Sequence, residues 1–522
     1  MAPAPLLVIP PFPGARTPRF ATAGGAGEGG GGGDEDGTAL LAALAQHRVG
    51  GCYWGPSPVL PEVLEVLDGT DAPAPGATVW DRACDPWPAL DAAARVRLPE
   101  DDTHGLLALA AGVPLTLVAG DGGEREADET DRARLLVAGL TGWQWRDPFT
   151  GKPIAAADGI ALSGMWRRLI DANRRIHSVL GIAHWKKPTV TPLLWAGAKV
   201  PYGRTPNDLP EGNVVAIWRA RLTSAQARAI TRRDPPVIEI EDGFIRSAGL
   251  GADCVSPFSI IVDACGPHFA PGAPSELEAI LQEGMFAPDL IARARALRNA
   301  IIAGGLSKYE AGGIEAIPRF GGARRHVLVP GQVEDDRAVT SGGALASNLE
   351  LLSRARAEAG PEAYVIYKPH PDVLAGHRRG MIPEREVAAF ADRVETGSPM
   401  AALIALVDEL HVNSSLAGFE ALMRGKRVTV HGVPFYAGWG LTVDRGPVPA
   451  RRTARRSLDE LVAAALLVYP RYLDPETGLP CPAEVLVERL SGQQIRLEPR
   501  ARVVVSIRQL AGRTKRLIGQ HK

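Results

Sequence analysis

Apolar and polar positions alternate in blocks along most of this chain. From about Gly159 onward, apolar runs of strand length alternate with amphipathic stretches of helix length. NVVAIW from Asn213 predicts a strand, LTSAQARAITRR a helix, and VIEIED, ending at Asp242, a second strand. HVLVP from His326, AYVIY, ELHVN and RVTVHG predict further strands, separated by the helical stretches ALASNLELLSRARAEA, PMAALIALV and SLAGFEALMRG. Compact apolar strands between amphipathic helices argue for parallel sheets covered on both faces. Two such blocks, split near residues 305–325, predict two Rossmann-like halves facing a cleft. Ligands of such sheets sit at the carboxyl ends of strands, so polar residues that follow strands are the ones to weigh.

Upstream the runs are shorter. ALLAALAQH, ATVWD and VPLTLVAG lie between about Ala39 and Leu140, punctuated by Gly, Pro and Asp. Gly24 to Gly33 reads GGAGEGGGGG, which cannot form a packed core, so residues 1–38 are expected to be a flexible tail. A faint repeat links the two ends of the chain. DPFTGKP from Asp147 matches DPETGLP from Asp474. HGLLALAAGVPLTLVA from His104 aligns without gaps on AGFEALMRGKRVTVHG from Ala417, Gly112 falling on Gly425.

Composition narrows the class without naming it. The 522 residues suffice for several domains' worth of packing, and 58 basic against 59 acidic residues give no argument for a nucleic-acid partner. Five cysteines without paired spacing read as thiols in a reducing compartment. MAPAPLLVIPPFPG has no basic n-region, and no window approaches the ~20 apolar residues of a membrane span. A soluble cytoplasmic protein is expected.

Chemistry gathers after the predicted strands. Glu241 and Asp242 close one, just before Gly243; strand alternation points them to opposite faces. Two acids before glycine also make an ordinary turn. YKPHPD sets Lys368 and a proline-flanked His370 after another strand, suited to an anionic leaving group or to a stiff surface loop. Asn413-Ser414-Ser415 ends a strand and opens a helix, which reads as a cap or as a phosphate site. Glu420 falls inside an otherwise apolar helix, where a carboxylate needs an ion pair or bound hydroxyls. Gln332, Glu334 and Asp336 follow HVLVP and line the cleft or form an acidic turn; no dedicated metal set is evident there, and none is expected. Tyr436 and Trp439 in PFYAGWGLT either cover a sugar face or staple the two halves.

EDGFIRSAGLG, GLSKYE, VLVPGQVEDD, YKPHPDV, NSSLAGFEALMRG and PFYAGWGLTVD occur in that order. Together they resemble the KpsC-like capsule polysaccharide biosynthesis family of retaining β-Kdo transferases, from about Trp195 to Pro480. The same elements resemble bacterial sialyltransferases, which also use a CMP-linked keto-sugar acid. The resemblance implies an α/β, GT-B-like fold whose two Rossmann-type halves face a cleft, preceded by a truncated α/β half-module. The implied division is a tail (1–38), a degenerate remnant of a first transferase module (39–155), an acceptor-side half (156–320), a CMP-donor-side half (321–495) and a basic tail (496–522). The implied donor is CMP-Kdo, and the implied acceptor a poly-Kdo phosphatidylglycerol-type lipid, with no cofactor and no metal. Asp242 is then the catalytic carboxylate, with Glu241 supporting it or sharing its role, and His370 assists departure of the CMP phosphate. Ser414 and Ser415 hold that phosphate, Glu420 takes the ribose hydroxyls, and Arg246, Lys308 and Lys368 meet the phosphate or the Kdo carboxylate. Gln332 and Asp336 line the donor side.

The chain departs from the longer members in its first part. The repeat sets Leu107 at the place of Glu420, and Asp101-Asp102 at that of Ser414-Ser415. Two carboxylates there would repel CMP, so residues 39–155 are expected not to bind donor. The basic, apolar-spaced terminal stretch RLEPRARVVVSIRQLAGRTKRLIGQHK suits an anionic membrane surface, or a solvated end. Peripheral attachment at the inner membrane follows from the first reading. Two alternatives stay open: transfer of another CMP-linked ulosonic or sialic acid, and a non-catalytic subunit of capsule assembly.

Overall fold

The computed structural model describes residues 4–16, 18–23, 36–58, 65–67, 77–247, 255–307, 317–376 and 378–492. The glycine run, Lys308 and the basic terminal stretch lie outside them. The chain divides into two compact units: Met1–His177, Thr191–Pro201 and Glu476–Leu479 form one, and the rest forms the other.

The first unit holds a five-stranded sheet in the order Ala77–Val79, Glu65–Leu67, Arg95–Pro99, Leu115–Val118, Glu124–Glu126, parallel except for the last pair. Beside it, Ala21–Ala23, Trp143–Arg146 and Pro153–Ile154 make a small antiparallel sheet. The expected loose tail is corrected here. Leu6, Leu7, Phe12 and Phe20 are buried, and Phe12 and Phe20 meet the ring of Trp166. Burying such side chains is worth about 1.5–3 kcal/mol each, which outweighs a proline-rich segment's freedom. The repeat has a structural counterpart in each unit: helix Gly105–Ala111 then strand Leu115–Val118, and helix Ala417–Met423 then strand Arg427–Val430. Gly112 and Gly425 make the same left-handed turn, each with φ 71°.

The second unit carries two six-stranded sheets. The strands of these sheets are β1 (Ile176–Leu180, in this unit from Ser178 on), β2 (Val214–Ile217), β3 (Val237–Asp242), β4 (Ser259–Asp263), β5 (His326–Pro330), β6 (Tyr364–Lys368), β7 (Arg393–Val394), β8 (Glu409–Val412), β9 (Arg427–Val430), β10 (Val443–Asp444), β11 (Arg471–Leu473) and β12 (Pro480–Cys481). The first sheet runs β12-β11-β4-β3-β2-β1 and the second β7-β6-β5-β8-β9-β10. Every pairing in the second is parallel, and its order is that of a Rossmann sheet, with the direction of winding reversing between β5 and β8. Helices α1 (Arg337–Gly342), α2 (Asn348–Ala359) and α3 (Ala417–Met423) belong to this half. Its core joins Val327, Val329, Val365 and Tyr367 to Leu351 and Leu352 of α2.

The first sheet corrects the parallel expectation in part. β2 and β3 are parallel, but β3–β4, β4–β11 and β11–β12 are antiparallel. β11 and β12 return to this sheet from the last part of the chain. Gly243, directly after β3, sits against β4: a Cβ there would stand 2.1 Å from Ser259 Oγ. The Ser259 hydroxyl is already bonded to the Ile245 carbonyl, so it cannot yield freely. Gly243→Ala is therefore expected to cost about 1–3 kcal/mol, read as a lowered denaturant midpoint; an unchanged midpoint would refute the close fit. No helix among the described residues is long and apolar enough to cross a membrane.

Candidate active site

A cleft of about 440 Å³ opens in the second unit, lined by Glu241 and Asp242 at the end of β3, by Phe244 just after it, and from the second half by Asp336, Arg337 and Ser414, among others. β3 ends in both acids, after the buried apolar residues Ile238 and Ile240. Asp242 lies between two cations. Lys186 Nζ donates to Oδ1 at 3.1 Å, and Arg246 Nε stands 3.1 Å from Oδ2. Arg246 is buried, and its other nitrogens donate to Ser247 Oγ and the Val255 carbonyl, both at 2.8 Å. That fixes the guanidinium, and the guanidinium fixes the carboxylate. Lys186 is buried too, its ammonium 3.3 Å from the centroid of the Trp218 ring. Burial pulls Lys186 down to about 8, against the charge of Asp242, which raises it.

Glu241 points the other way, as strand alternation requires, and shares its side of β3 with Glu239. Arg337, at the start of α1, donates from Nη1 to Glu241 Oε1 at 2.8 Å and from Nη2 to Glu239 Oε2 at 3.1 Å. Arg219 takes the other oxygen of Glu239 at 2.6 Å. Burial pushes Glu241 up to about 7; Arg337 opposes the shift, and the neighbouring charges of Asp242 and Glu239 add to it. One carboxylate thus stands beside two fixed cations, while its neighbour titrates near neutrality.

Across the cleft, the turns after β5 and β8 meet at the reversal point of the second sheet. Gln332 Oε1 accepts from the Ser414 N–H at 2.9 Å, and its amide donates to Ser414 Oγ at 3.2 Å. The Ser414 hydroxyl donates to the Ala338 carbonyl at 2.9 Å. Both groups of Ser414 are therefore engaged with protein, so its direct grip on a ligand is weaker than the sequence suggests. Ser415 Oγ accepts from the Ala417 N–H at 3.3 Å, which leaves its hydroxyl proton to donate. Asn413 braces the turn, accepting from the Ala344 N–H at 3.1 Å and donating to the Leu345 carbonyl at 3.0 Å. Asp336 lines the cleft and caps α1 through the Ala338 N–H. Glu420 is buried on α3.

Lys368 and His370 do not join the acids along the cleft lining. Lys368 is buried, with Nζ donating to the Ser398 carbonyl at 2.7 Å, and His370 Nδ1 accepts from the Asp372 N–H at 3.1 Å. Tyr436 borders the cleft, and the bonds of Tyr436 and Trp439 stay within the second half. Both are fully buried; Tyr436 bonds the Ser415 carbonyl, and Trp439 donates to the Phe435 carbonyl. The aromatic contact beside the acids comes from Phe244, stacked on Phe435 at 4.6 Å. Lys186, Arg337 and Glu239 escaped the sequence reading. The signals were present: HWKK follows β1, and Arg337 directly follows the acids of VEDD.

The family model described as capsule polysaccharide biosynthesis protein matches residues 213–472. The chain is 39% identical over 327 residues to the lipopolysaccharide-processing protein LpsZ of Rhizobium meliloti, covering 60% of this chain and 74% of that one. It is 42% identical over 361 residues to the capsule polysaccharide modification protein LipA of Neisseria meningitidis serogroup B, covering 67% of this chain and 50% of LipA, so it spans half that relative's length. Two solved structures of Thermosulfurimonas dismutans KpsC are similar. The beta Kdo 2,4 transferase has 31% identity and a TM-score of 0.53, over 61% of this chain and 98% of that one. The beta Kdo 2,7 transferase has 32% identity and a TM-score of 0.50, over 60% and 98%. The fold is accordingly mixed α/β and GT-B-like, and the chain belongs to the KpsC-like capsule polysaccharide biosynthesis family.

Proposed function

We propose that this protein is a glycosyltransferase that moves Kdo from CMP-Kdo to a Kdo-containing lipid acceptor with retention of the β configuration, in building the linker of a capsule polysaccharide. The observation that carries the reading is Asp242, a cleft-lining carboxylate held between Lys186 and Arg246. Retention needs two displacements. Asp242 attacks the anomeric carbon of Kdo; a carbon–oxygen bond to its carboxylate forms, and the bond to the CMP phosphate breaks, with CMP taking the electron pair. The acceptor hydroxyl then attacks the same carbon. Its proton passes to Glu241, and Asp242 is released as carboxylate. A base that titrates near 7 suits that task.

The donor-side roles rest on family likeness and on the position of the turns. The reversal point of a Rossmann sheet is where nucleotides bind, and Gln332, Ser414 and Ser415 stand there. In this reading Ser415 and His370 meet the CMP phosphate, Glu420 the ribose, and Asp336 lines the donor pocket; Lys368 braces the turn after β6. The cations that offset donor charge come from the chain itself, so transfer calls for no metal. The lipid acceptor places the working enzyme at the cytoplasmic face of the inner membrane. Residues 39–155 serve as a remnant module without donor. Asp102, which the repeat sets on Ser415, is bonded to Arg82 and His104. Although burial raises its pKa, those partners hold it well below the usual carboxylate range. A fixed anion of this kind repels a phosphate.

Incubating the full chain with CMP-Kdo or CMP-sialic acid and a Kdo-terminated lipid tests the proposal. Turnover of CMP-Kdo with a β-linked product is expected. Turnover of CMP-sialic acid alone, or of neither donor, would overturn it.

A further inference from the structure

The second sheet buries two histidines side by side, apart from the residues that line the cleft. His411 lies in β8, and His431 directly follows β9, the parallel partner of β8. His411 Nδ1 and His431 Nε2 are 3.2 Å apart, and both residues are buried. His411 Nε2 stands 3.0 Å from Glu409 Oε1. Glu409 is itself fixed, accepting from Arg325 Nη1 at 2.5 Å and from Thr429 Oγ1 at 3.2 Å. An ionised carboxylate only accepts, so the proton of the His411 ring sits on Nε2, and Nδ1 presents its lone pair toward His431. Glu358, near the end of α2, brings a third group: one ligand atom from each of Glu358, His411 and His431 lies within 4.8 Å of the others.

We propose that Glu358, His411 and His431 bind one divalent transition-metal ion of the zinc type, as a structural centre pinning α2 to the adjacent strands. Nitrogens bound to a tetrahedral zinc at about 2.0–2.1 Å stand roughly 3.3 Å apart, close to the separation here. Two imidazoles and a carboxylate are a ligand set that zinc accepts, and Glu409 behind His411 supplies the carboxylate–histidine–metal arrangement that orients such ligands. Glu358 is more exposed and has only to swing inward. Arg445 donates from both Nε and Nη2 to its Oε1, at 3.0 and 2.5 Å, so that swing keeps Oε2 as the ligand atom. Water from the open side completes the fourth position. The centre is independent of the transfer chemistry, since none of its residues lines the cleft.

The test uses the full chain after chelator treatment, titrated with Zn²⁺ against a chromophoric competitor and, separately, with Co²⁺ to read tetrahedral visible bands. One tight equivalent of Zn²⁺ is expected. His431→Gln should remove it, and Glu358→Gln, at a more exposed position that does not endanger folding, should weaken it at least about tenfold. Cys265→Ser probes the second cluster that could hold an ion, Asp263, Cys265 and Glu276, and should change nothing. The proposal is overturned if the wild-type chain binds no Zn²⁺, if Glu358→Gln binds as tightly as wild type, or if Cys265→Ser abolishes binding. Competition binding does not depend on transfer, so its failure and that of the proposed activity are separately visible.

Discussion

Asp242→Asn is expected to lower kcat for Kdo transfer on the order of 10⁴-fold, because an amide cannot form the covalent glycosyl link. The fold should survive. The amide oxygen still accepts from Lys186 or Arg246, and Lys186 is already drawn toward neutrality by burial, so it sheds its proton rather than remain an uncompensated charge. A cost of about 1–3 kcal/mol is expected from the weakened pairing. Circular dichroism and a melting curve establish that the variant is folded. Activity within tenfold of wild type would remove Asp242 from the chemistry.

Lys186→Met carries the second large effect, about 10²-fold in kcat/KM, as for loss of one preorganised charge beside a reacting group. The methionine keeps the aliphatic stem, so packing against Trp218 is largely preserved. The diagnostic readout is pH. Lys186 is charged below about 8 and neutral above it, so wild-type kcat/KM should fall as pH rises through about 8. Glu241 carries its negative charge above about 7, so the rate should fall as pH drops through about 7. The optimum lies between them. Lys186→Met should erase the alkaline limb and keep the acid one, and Glu241→Gln should do the reverse. A merely structural lysine would leave both limbs in place.

The sheets were legible because their strands are near-continuous apolar runs ending in polar residues. β3, β5, β6, β8 and β9 lie where VIEIED, HVLVP, AYVIY, ELHVN and RVTVHG predict them. Strand direction was less legible. β4 is as apolar as its neighbours yet antiparallel, and β11 and β12 are too short to signal that they rejoin the first sheet. The opposed directions of Glu241 and Asp242 followed from strand alternation alone. Their partners did not: Lys186 precedes Asp242 by 56 residues, and Arg337 follows Glu241 by 96. No periodicity encodes a contact made only by folding. The aromatic motif PFYAGWG left two readings open; both rings are buried, but Tyr436 borders the cleft and neither bond reaches the other half.

The claim that Asp242 becomes covalently bound to the transferred sugar has a direct test. The full chain is incubated with CMP-Kdo and a poor acceptor, quenched, digested, and its peptides weighed. One added Kdo on the peptide that contains Asp242, absent from Asp242→Asn, is the predicted result. Steady β-Kdo transfer with no adduct, or an adduct carried by Glu241 or by any other residue, would contradict the account.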